Sequence, residues 1–199
     1  MGMQRVLVIG AHTDDAEFGM GGTITKLVHA GVDVHVMALS NCGHSALRDE
    51  FEASMSALSV RKHMAYDMPV RLFGVMRQEI LQLMVDWDRD IEPDTVFVHN
   101  SYDVHQDHAV VHAEALRAFK RRSIIGYELP WNNYIGVTNS FSVLEEKHVA
   151  TKVKAMRCYK SQAHRPYANE EFLRALAITR GVGIGTKYAE CFQSIRQIL

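Results

Sequence analysis

The fold of this chain is decided by the stretch Val6-Leu7-Val8-Ile9-Gly10-Ala11-His12-Thr13-Asp14-Asp15. Its first five residues form a short, continuous apolar run, which is typical of a strand that is buried on both faces of a sheet. Polar residues with metal-binding side chains follow almost at once. The stretch therefore predicts a first, central strand that ends in a loop with candidate catalytic residues.

A helix and a second strand follow this loop. Apolar residues recur at helical spacing within residues 17–30, and Gly31 ends that segment as a helix C-terminal cap would. Residues 32–39 are rich in β-branched side chains and predict a second strand. A strand, a helix and a strand in this order form a βαβ unit, which implies a parallel sheet.

The rest of the chain continues this alternation. Further strands are predicted at 95–99 and 123–127, and further helices at 47–58, 76–91, 107–120, 145–159 and 170–179. No internal repeat, linker or low-complexity tract interrupts the pattern. The sequence thus predicts a single α/β domain over residues 1–199.

The composition excludes several classes of function. The 199 residues include 22 Lys and Arg against 23 Asp and Glu, a formal net charge of -1, so the basic surface that nucleic-acid binding needs is not expected. The aliphatic run at 6–9 is too short for a signal sequence or a membrane span. The three cysteines show no disulfide or zinc-binding spacing. We therefore expect a cytoplasmic protein with reduced thiols, with no nucleic-acid partner and with no membrane span.

Two loops carry the candidate chemistry. One is 11–17, directly after the first strand, and the other contains His105-Gln106-Asp107-His108, six residues after the strand at 95–99. Because ligands of parallel sheets bind beyond the carboxyl ends of the strands, we expect these loops to meet there. His12, Asp15 and His108 would then supply three N and O ligands and leave a fourth position open, the arrangement of a zinc ion that activates water.

Two further residues would complete a hydrolytic site. Asp14 is adjacent to a candidate ligand and available as a general base. His105 lies three residues before His108, so the two rings can share a helix face and His105 can serve as a proton donor for the leaving amine. Other interpretations stay open, since Asp14 or Asp15 could cap the helix and the histidines at 105, 108 and 112 could form a solvated helix face.

A glycine cluster and an aromatic loop complete the candidate features. Gly19-Met20-Gly21-Gly22 lacks the flanking residues of a phosphate-binding loop, which favours close helix packing as the role of these glycines. The loop Pro130-Trp131-Asn132-Asn133-Tyr134 groups aromatic and amide side chains. Trp131 and Asn133 could therefore stack on and hydrogen-bond to a sugar ring, with packing inside the loop as the alternative.

The motifs resemble those of one known family. Residues Ala11-His12-Thr13-Asp14-Asp15-Ala16-Glu17, followed by Gly21-Gly22-Thr23, are similar to the Ala-His-Pro-Asp-Asp-x-Glu signature of the PIG-L/LmbE-like zinc deacetylases, although Thr13 stands where the family usually has Pro. His105-Gln106-Asp107-His108 resembles the second motif of that family, His-x-Asp-His. Further matches at Tyr159-Lys160-Ser161-Gln162, Arg180-Gly181 and Ala189-Glu190-x-Phe192 extend the resemblance over almost the whole chain.

This resemblance implies both a fold and a cofactor. The fold is a Rossmann-like, three-layer α/β structure with a mainly parallel central sheet. The cofactor is a zinc ion, Zn²⁺, held by His12, Asp15 and His108.

The resemblance also implies a role for four other residues. Asp14 is the expected base, and His105 is expected to stabilise the oxyanion and protonate the amine. Asp107 is expected to orient His105, and Arg48 is expected to grip a sugar hydroxyl or a phosphate.

We therefore expect a zinc-dependent hydrolase that removes the acetyl group from the 2-amino position of an N-acetylhexosamine. The sugar could be free or carried on a nucleotide, a lipid or a small thiol, and a homo-oligomer is a further expectation. The nearest alternative is a zinc amidase that cleaves a larger acyl group from a sugar or thiol conjugate. An alternative from another class is a non-catalytic, Rossmann-like nucleotide-binding module.

Overall fold

The computed structural model describes residues 2–198, which contain seven strands and six α-helices. In chain order the elements are β1 Arg5–His12, α1 Asp15–His29, β2 Asp33–Ser40, α2 Ser45–Leu58, β3 Lys62–Ala65, α3 Arg77–Ile91, β4 Thr95–His99, α4 Gln106–Ala118, β5 Ser123–Tyr127, β6 Ser140–Leu144, α5 Glu146–Met156, a short 3₁₀ helix Lys160–Gln162, α6 Glu170–Val182 and β7 Tyr188–Arg196.

The strands form one sheet in the order β3-β2-β1-β4-β5-β7-β6. Neighbours from β3 to β5 run parallel, whereas β7 is antiparallel to both β5 and β6. The predicted α/β fold with a mainly parallel sheet is confirmed. Because the chain runs outward from β1 to β3 and then returns to β4 on the other side of β1, the strand order reverses between β1 and β4. Ligands bind at such a reversal in open parallel sheets.

Helices cover both faces of the sheet. In β1, Val6 and Val8 pack into the core formed with α1, α2 and α5, whereas Leu7 and Ile9 pack into the core formed with α3 and α4. All four side chains are fully buried. This double burial explains why the strand is continuously apolar instead of alternating. The predicted three-layer arrangement is confirmed.

Three strands, β3, β6 and β7, were not evident in the sequence pattern. Strand β3 has only four residues, and β6 is an edge strand that exposes Phe141 and Val143. Strand β7 contains Glu190 in its buried half, which interrupts the apolar signal. The predicted helices are all present, with ends that differ from the prediction by three residues at most. Within residues 2–198, no helix has the length and apolar character needed to cross a membrane.

Helix α1 is broken at Met20, where φ is -151° and ψ is 24°. Glycines on either side of the break allow close approach of other elements. A Cβ on Gly19 would lie 2.2 Å from the ring of Tyr127, and a Cβ on Gly22 would lie 2.6 Å from Leu144. The prediction that these glycines serve close helix packing is confirmed.

A buried ion pair joins the two halves of α1. Lys152 of α5 donates to the Phe18 carbonyl at 2.6 Å and to Glu190 of β7 at 2.7 Å. Glu190 in turn accepts the backbone N–H groups of Gly22 at 3.1 Å and Thr23 at 2.7 Å. The ammonium therefore lies at the C-terminal end of the first half and the carboxylate at the N-terminal end of the second, where the helix dipoles favour these charges.

We predict that Lys152→Met lowers the free energy of unfolding by about 3–5 kcal/mol, because it leaves the buried Glu190 carboxylate without its cation. Lys147→Met is a matched control on the same helix, since it removes only an exposed pair with Glu145 and should cost about 1 kcal/mol or less. Urea unfolding of both variants measures the two losses. Equal losses would contradict the role given to the buried pair.

Candidate active site

The loops after β1 and β4 meet at one edge of the sheet. They line a cavity of about 460 Å³, a volume within the usual range of small-molecule sites. His12, Asp14 and Asp15 line it from the first loop, and His105 and His108 line it from the second. The two clusters found in the sequence therefore form one site.

The adjacent carboxylates of the first loop have different surroundings. Asp14 occupies the N-cap position of α1 with a left-handed φ of 91°, but its side chain makes no capping hydrogen bond. The Asp15 Oδ2 instead accepts the backbone N–H of His12 at 2.8 Å. The helix-cap interpretation is therefore not supported. A non-glycine residue in the left-handed region is costly, and such strain concentrates at functional sites.

Three donor atoms converge at the cavity. The His12 Nδ1 lies 3.3 Å from the His108 Nε2 and 3.6 Å from the Asp15 Oδ2, and the His108 and Asp15 atoms lie 3.6 Å apart. A tetrahedral zinc ion with bonds of about 2.0–2.2 Å holds its ligands roughly 3.3–3.6 Å from one another. The two nitrogens and one oxygen thus fit the metal that the sequence predicts, in both chemistry and spacing.

A carboxylate holds each of these two histidines at its other ring nitrogen. The Asp107 Oδ2 lies 3.1 Å from the His12 Nε2, and the Asp103 Oδ2 lies 2.9 Å from the His108 Nδ1. This arrangement is usual for metal-bound imidazoles, because it fixes the ring so that the remaining nitrogen faces the metal. Sequence analysis missed Asp103, whose Oδ1 also accepts the His105 N–H at 2.9 Å.

The electrostatics of the cluster favour a cation. Burial disfavours the charged form of His12, but hydrogen bonds to Asp107 and Asp15 outweigh burial and raise the pKa of His12 to about 10. Burial also opposes ionisation of Asp15, yet the adjacent His108 and His99 hold its pKa well below the usual range. The carboxylates around His12 therefore favour a positive charge at this ring.

His99, at the end of β4, supports the cluster from behind. Its ring is fully buried and stacks on His108 with 3.8 Å between centroids, and its Nε2 lies 3.4 Å from the Asp15 Oδ2. These three residues could by distance hold a metal. However, the His99 Nε2 already accepts the Ala11 N–H at 3.0 Å and contacts the Tyr127 hydroxyl at 3.1 Å. We therefore interpret His99 as a supporting residue and not as a ligand.

The surroundings of Asp14 disfavour its charged form. Burial raises the pKa of Asp14 well above its usual value, and the nearby carboxylates of Asp15 and Glu17 raise it further. A base works best when its pKa is close to the operating pH. The surroundings of Asp14 shift its pKa in that direction.

His105 lies at the start of α4 and faces the same cavity. Its Nδ1 accepts the backbone N–H of Asp107 at 3.2 Å, so a neutral His105 ring carries its proton on Nε2. Burial and the neighbouring His108 lower the pKa of His105, which favours this neutral form. The ring is therefore suited to donate a hydrogen bond from Nε2.

The contacts of Asp107 differ from the expectation that its side chain orients His105. The Asp107 Oδ2 contacts the His12 ring and accepts the Arg71 N–H at 2.9 Å. His105 is oriented by the backbone amide of Asp107 and not by its carboxylate. The reason is geometric, because His105 is the N-cap residue of α4 and its ring folds back onto the amide two residues later.

Arg48 and Asn133 do not line the cavity, contrary to expectation. Leu47 lines it, and the next residue on α2 is turned by about 100° around the helix axis. Arg48 is consequently exposed and donates to the carbonyl of Ala65 at 3.4 Å. The Asn133 Oδ1 accepts the Leu129 N–H at 3.0 Å. This contact lies within the loop and agrees with the alternative interpretation, in which Asn133 packs inside the loop instead of binding a sugar.

Trp131 does line the cavity, as predicted for its loop. It stacks face to face on Tyr167 with 3.8 Å between centroids, and Phe18 packs edge-on against both rings. Sequence analysis missed Tyr167 and two other lining residues, Arg71 and Arg165. All three lie in irregular segments, where no periodic pattern marks them.

Comparisons with known proteins identify the family of this chain. Residues 7–119 match the family described as PIG-L: GlcNAc-PI de-N-acetylase. The uncharacterized deacetylase YaiS of Escherichia coli (strain K12) is 28% identical over 174 residues, which cover 78% of this chain and 90% of YaiS. The diacetylchitobiose deacetylase of Thermococcus kodakarensis is 28% identical over an alignment of 220 residues, gaps included. This alignment covers 94% of this chain and 82% of that protein.

A solved structure shows the same relationship. The N,N'-diacetylchitobiose deacetylase of Pyrococcus horikoshii aligns with a TM-score of 0.79 and 25% identity, over 96% of this chain and 83% of that chain. The family match spans more than half of this chain and contains His12, Asp15 and His108. The chain therefore belongs to the PIG-L family of de-N-acetylases, which are hydrolases that act on amide bonds.

Proposed function

We propose that this chain is a zinc-dependent hydrolase that removes the acetyl group from the 2-amino position of an N-acetylhexosamine, free or in a conjugate. The observation that carries the proposal is the set of donor atoms on His12, Asp15 and His108, separated by 3.3–3.6 Å. The same cavity contains Asp14 and His105. Two relatives are named as deacetylases of diacetylchitobiose, an N-acetylated sugar, which supports this substrate class.

In this proposal His12, Asp15 and His108 would hold the zinc ion beside the cavity that they line. When bound, the ion supplies Lewis acidity that polarises the amide carbonyl and lowers the pKa of a water nucleophile towards 7. Asp107 and Asp103 act through the rings of His12 and His108, which they hold in a fixed orientation.

The proton transfers fall to Asp14, and His105 assists the reaction through a hydrogen bond. Asp14 accepts a proton from the attacking water as its oxygen adds to the amide carbon. His105 stabilises the oxyanion that forms on the former carbonyl by donating a hydrogen bond from Nε2. Breaking the C–N bond then requires a proton on the nitrogen. The family resemblance gives this proton to His105. Because burial favours a neutral His105, we assign the transfer to Asp14 instead, which delivers the proton it has taken up, and the products are acetate and a free amine.

The cavity suits a sugar substrate. Trp131 lines the cavity while one face of its ring is covered by Tyr167, so it gives a sugar an aromatic surface to contact, and the volume of about 460 Å³ accommodates a small molecule. The proposal treats residues 1–199 as one domain, since all the described strands join one sheet. A cytoplasmic location and a homo-oligomer stay predictions.

Product analysis tests the proposal against its alternatives. Metal-loaded protein should release acetate from N-acetylglucosamine or from its disaccharide, nucleotide or lipid conjugates. N-butyrylglucosamine should be a poorer substrate, whereas faster release of butyrate would favour an amidase for larger acyl groups. Failure to hydrolyse any of these amides, in protein that binds no divalent metal, would favour a non-catalytic module.

The ligand set predicts the zinc content of variants. Wild-type protein should hold about one zinc per chain, and His12→Ala and His108→Ala should each lose most of it, because three ligands are the minimum for a catalytic zinc site. His63→Ala is the control, since the half-buried His63 pairs with Glu52 and does not line the cavity, so its loss should not change the zinc content. Elemental analysis of the dialysed proteins gives the answer. Full occupancy in both cavity variants would refute the ligand set.

The adjacent carboxylates allow the sharpest comparison, because the same substitution should have different effects at the two positions. Asp14→Asn should keep zinc and lower kcat by roughly 10²- to 10⁴-fold, since it removes the base. Asn tolerates the left-handed backbone of this residue, so the fold should persist. Asp15→Asn should instead lose zinc. Zinc content and acetate release are measured on the same preparations, and near-normal turnover of the Asp14 variant would show that the roles are assigned wrongly.

A further inference from the structure

One buried hydroxyl group at the cavity has no hydrogen-bond partner within the described residues 2–198. Thr13 lies between His12 and Asp14 in the chain and lines the cavity. Only 2% of this residue is exposed, and its Oγ1 neither donates nor accepts a hydrogen bond. Such a group is uncommon in folded proteins, because it has lost its hydrogen bonds to water without replacement. A partner from outside the chain would remove this cost.

The other buried polar atoms without a partner differ from this hydroxyl. Within residues 2–198, none of them belongs to a residue that lines the cavity. Four of these side chains also form a hydrogen bond through another atom, namely Glu17, His63, His99 and Asn133. Thr13 has a single polar side-chain atom, so its whole side-chain hydrogen-bonding capacity is unused. In the described part of the chain, Thr13 alone combines this property with a position at the cavity wall.

The backbone holds Thr13 in a fixed place. The Thr13 N–H donates to the Ser40 carbonyl, at the end of β2, at 3.0 Å. The next residue is also fixed, since the Asp14 carbonyl accepts the Phe18 N–H at 3.0 Å. The β-branched side chain of Thr13 further restricts rotation about χ1. The hydroxyl is therefore preorganised, and little conformational entropy is lost when a ligand binds to it.

The hydroxyl and the contact with Ser40 are both particular to this sequence. The signature that this stretch resembles usually has Pro at the position of Thr13. Pro has neither an N–H nor a hydroxyl group. Neither feature is therefore needed to form the motif, and the hydroxyl is available for a separate task.

The reacting amide has one polar group that the proposed function leaves without a partner. Its carbonyl is already assigned partners there, whereas its N–H lacks an acceptor. The carboxylates of the cavity have other tasks, because Asp14 is the base and both Asp15 and Asp107 contact His12. The Thr13 Oγ1 has unused lone pairs, and it lies in the chain directly between a candidate metal ligand and the base.

From these observations we propose that the Thr13 Oγ1 accepts a hydrogen bond from the N–H of the substrate amide and orients this group in the cavity. The inference rests on the proposed deacetylase function and adds a substrate-binding residue to it. The amide N–H is common to all N-acetylated sugars that retain a secondary amide. The contact therefore serves the reacting group and not the choice of sugar.

The first test removes the hydroxyl and keeps the shape of the side chain. In metal-loaded protein, Thr13→Val should lower kcat/KM for N-acetylglucosamine by about 5- to 50-fold, mainly through KM, because the contact is already present in the bound substrate. Thr13→Ser keeps a hydroxyl and should recover most of the loss. Thr25→Val is the matched control and should leave kcat/KM unchanged. Thr25 is also 2% exposed, but its hydroxyl donates to the Gly21 carbonyl, and it does not line the cavity.

The second test removes the N–H from the substrate. In the 2-O-acetyl ester of glucose an oxygen atom replaces the amide N–H, and initial rates are measured before the acetyl group migrates. Thr13→Val should change kcat/KM for this ester by about twofold or less, since no donor is left without its acceptor. A loss on the amide without a loss on the ester would support the contact. Equal losses on both substrates would overturn the inference and leave the deacetylase proposal intact.

The third test does not depend on turnover. Thr13→Val should raise the Tm of the metal-loaded, substrate-free protein by about 2–5 °C, because it removes an unpartnered polar group without changing the packing. Thr25→Val should not raise the Tm, because its hydroxyl is already bonded to Gly21. A lower Tm for Thr13→Val would show that the hydroxyl has a structural partner, and the inference would be wrong.

Zinc content and the pH profile separate this contact from indirect effects. Thr13→Val should hold as much zinc as the wild type, and its kcat should depend on pH in the same way. A loss of zinc or a shifted profile would show that the hydroxyl acts through His12 or Asp14, which contradicts the inference. If the wild type released no acetate from any N-acetylated sugar, the proposed function would be refuted and this inference with it. An active wild type with an unaffected Thr13→Val variant would overturn the inference alone.

Discussion

The buried pair of Lys152 and Glu190 is the contact on which the geometry of the site depends. The first half of α1 is too short to be stable as an isolated helix, yet it begins with Asp15 directly after the strained Asp14. The ion pair satisfies backbone groups that the break at Met20 leaves inside the protein. In this way α5 and β7, which lie outside the segment that matches the family, hold the N-terminal donors in position.

Much of the fold follows from the sequence because the buried strands are apolar throughout. The run at Val6 identifies β1, and parallel order then places its loop at the same edge as His105 and His108. Strand β7 is less evident, since Glu190 and Lys152 look like solvent-exposed charges until each is seen to be the partner of the other. Burial of a charged pair is a property of three-dimensional contact, and no local pattern reports it.

The difference between a local sequence pattern and a three-dimensional contact also explains which site residues could be predicted. His12, Asp14, Asp15 and His108 belong to compact motifs at strand ends, and the structure brings them together. Arg48 depends on the rotation of a helix after an irregular loop, so a small difference in register moves it out of the cavity. Other contributors come from segments without any repeat, and their role depends on how the chain closes around the site. They include Asp103, Arg71, Arg165 and Tyr167.

The stacked rings of Trp131 and Tyr167 join two connections that are far apart in the chain, one after β5 and one before α6. Neither ring belongs to the donor cluster, which is anchored on the ends of β1 and β4 instead. Under the proposed function, the chemistry and the selectivity of this protein are thus encoded in separate parts of the chain. Substitutions in the two connections can change which molecule is accepted while the hydrolytic apparatus stays the same, so relatives with identical donor residues need not share a substrate.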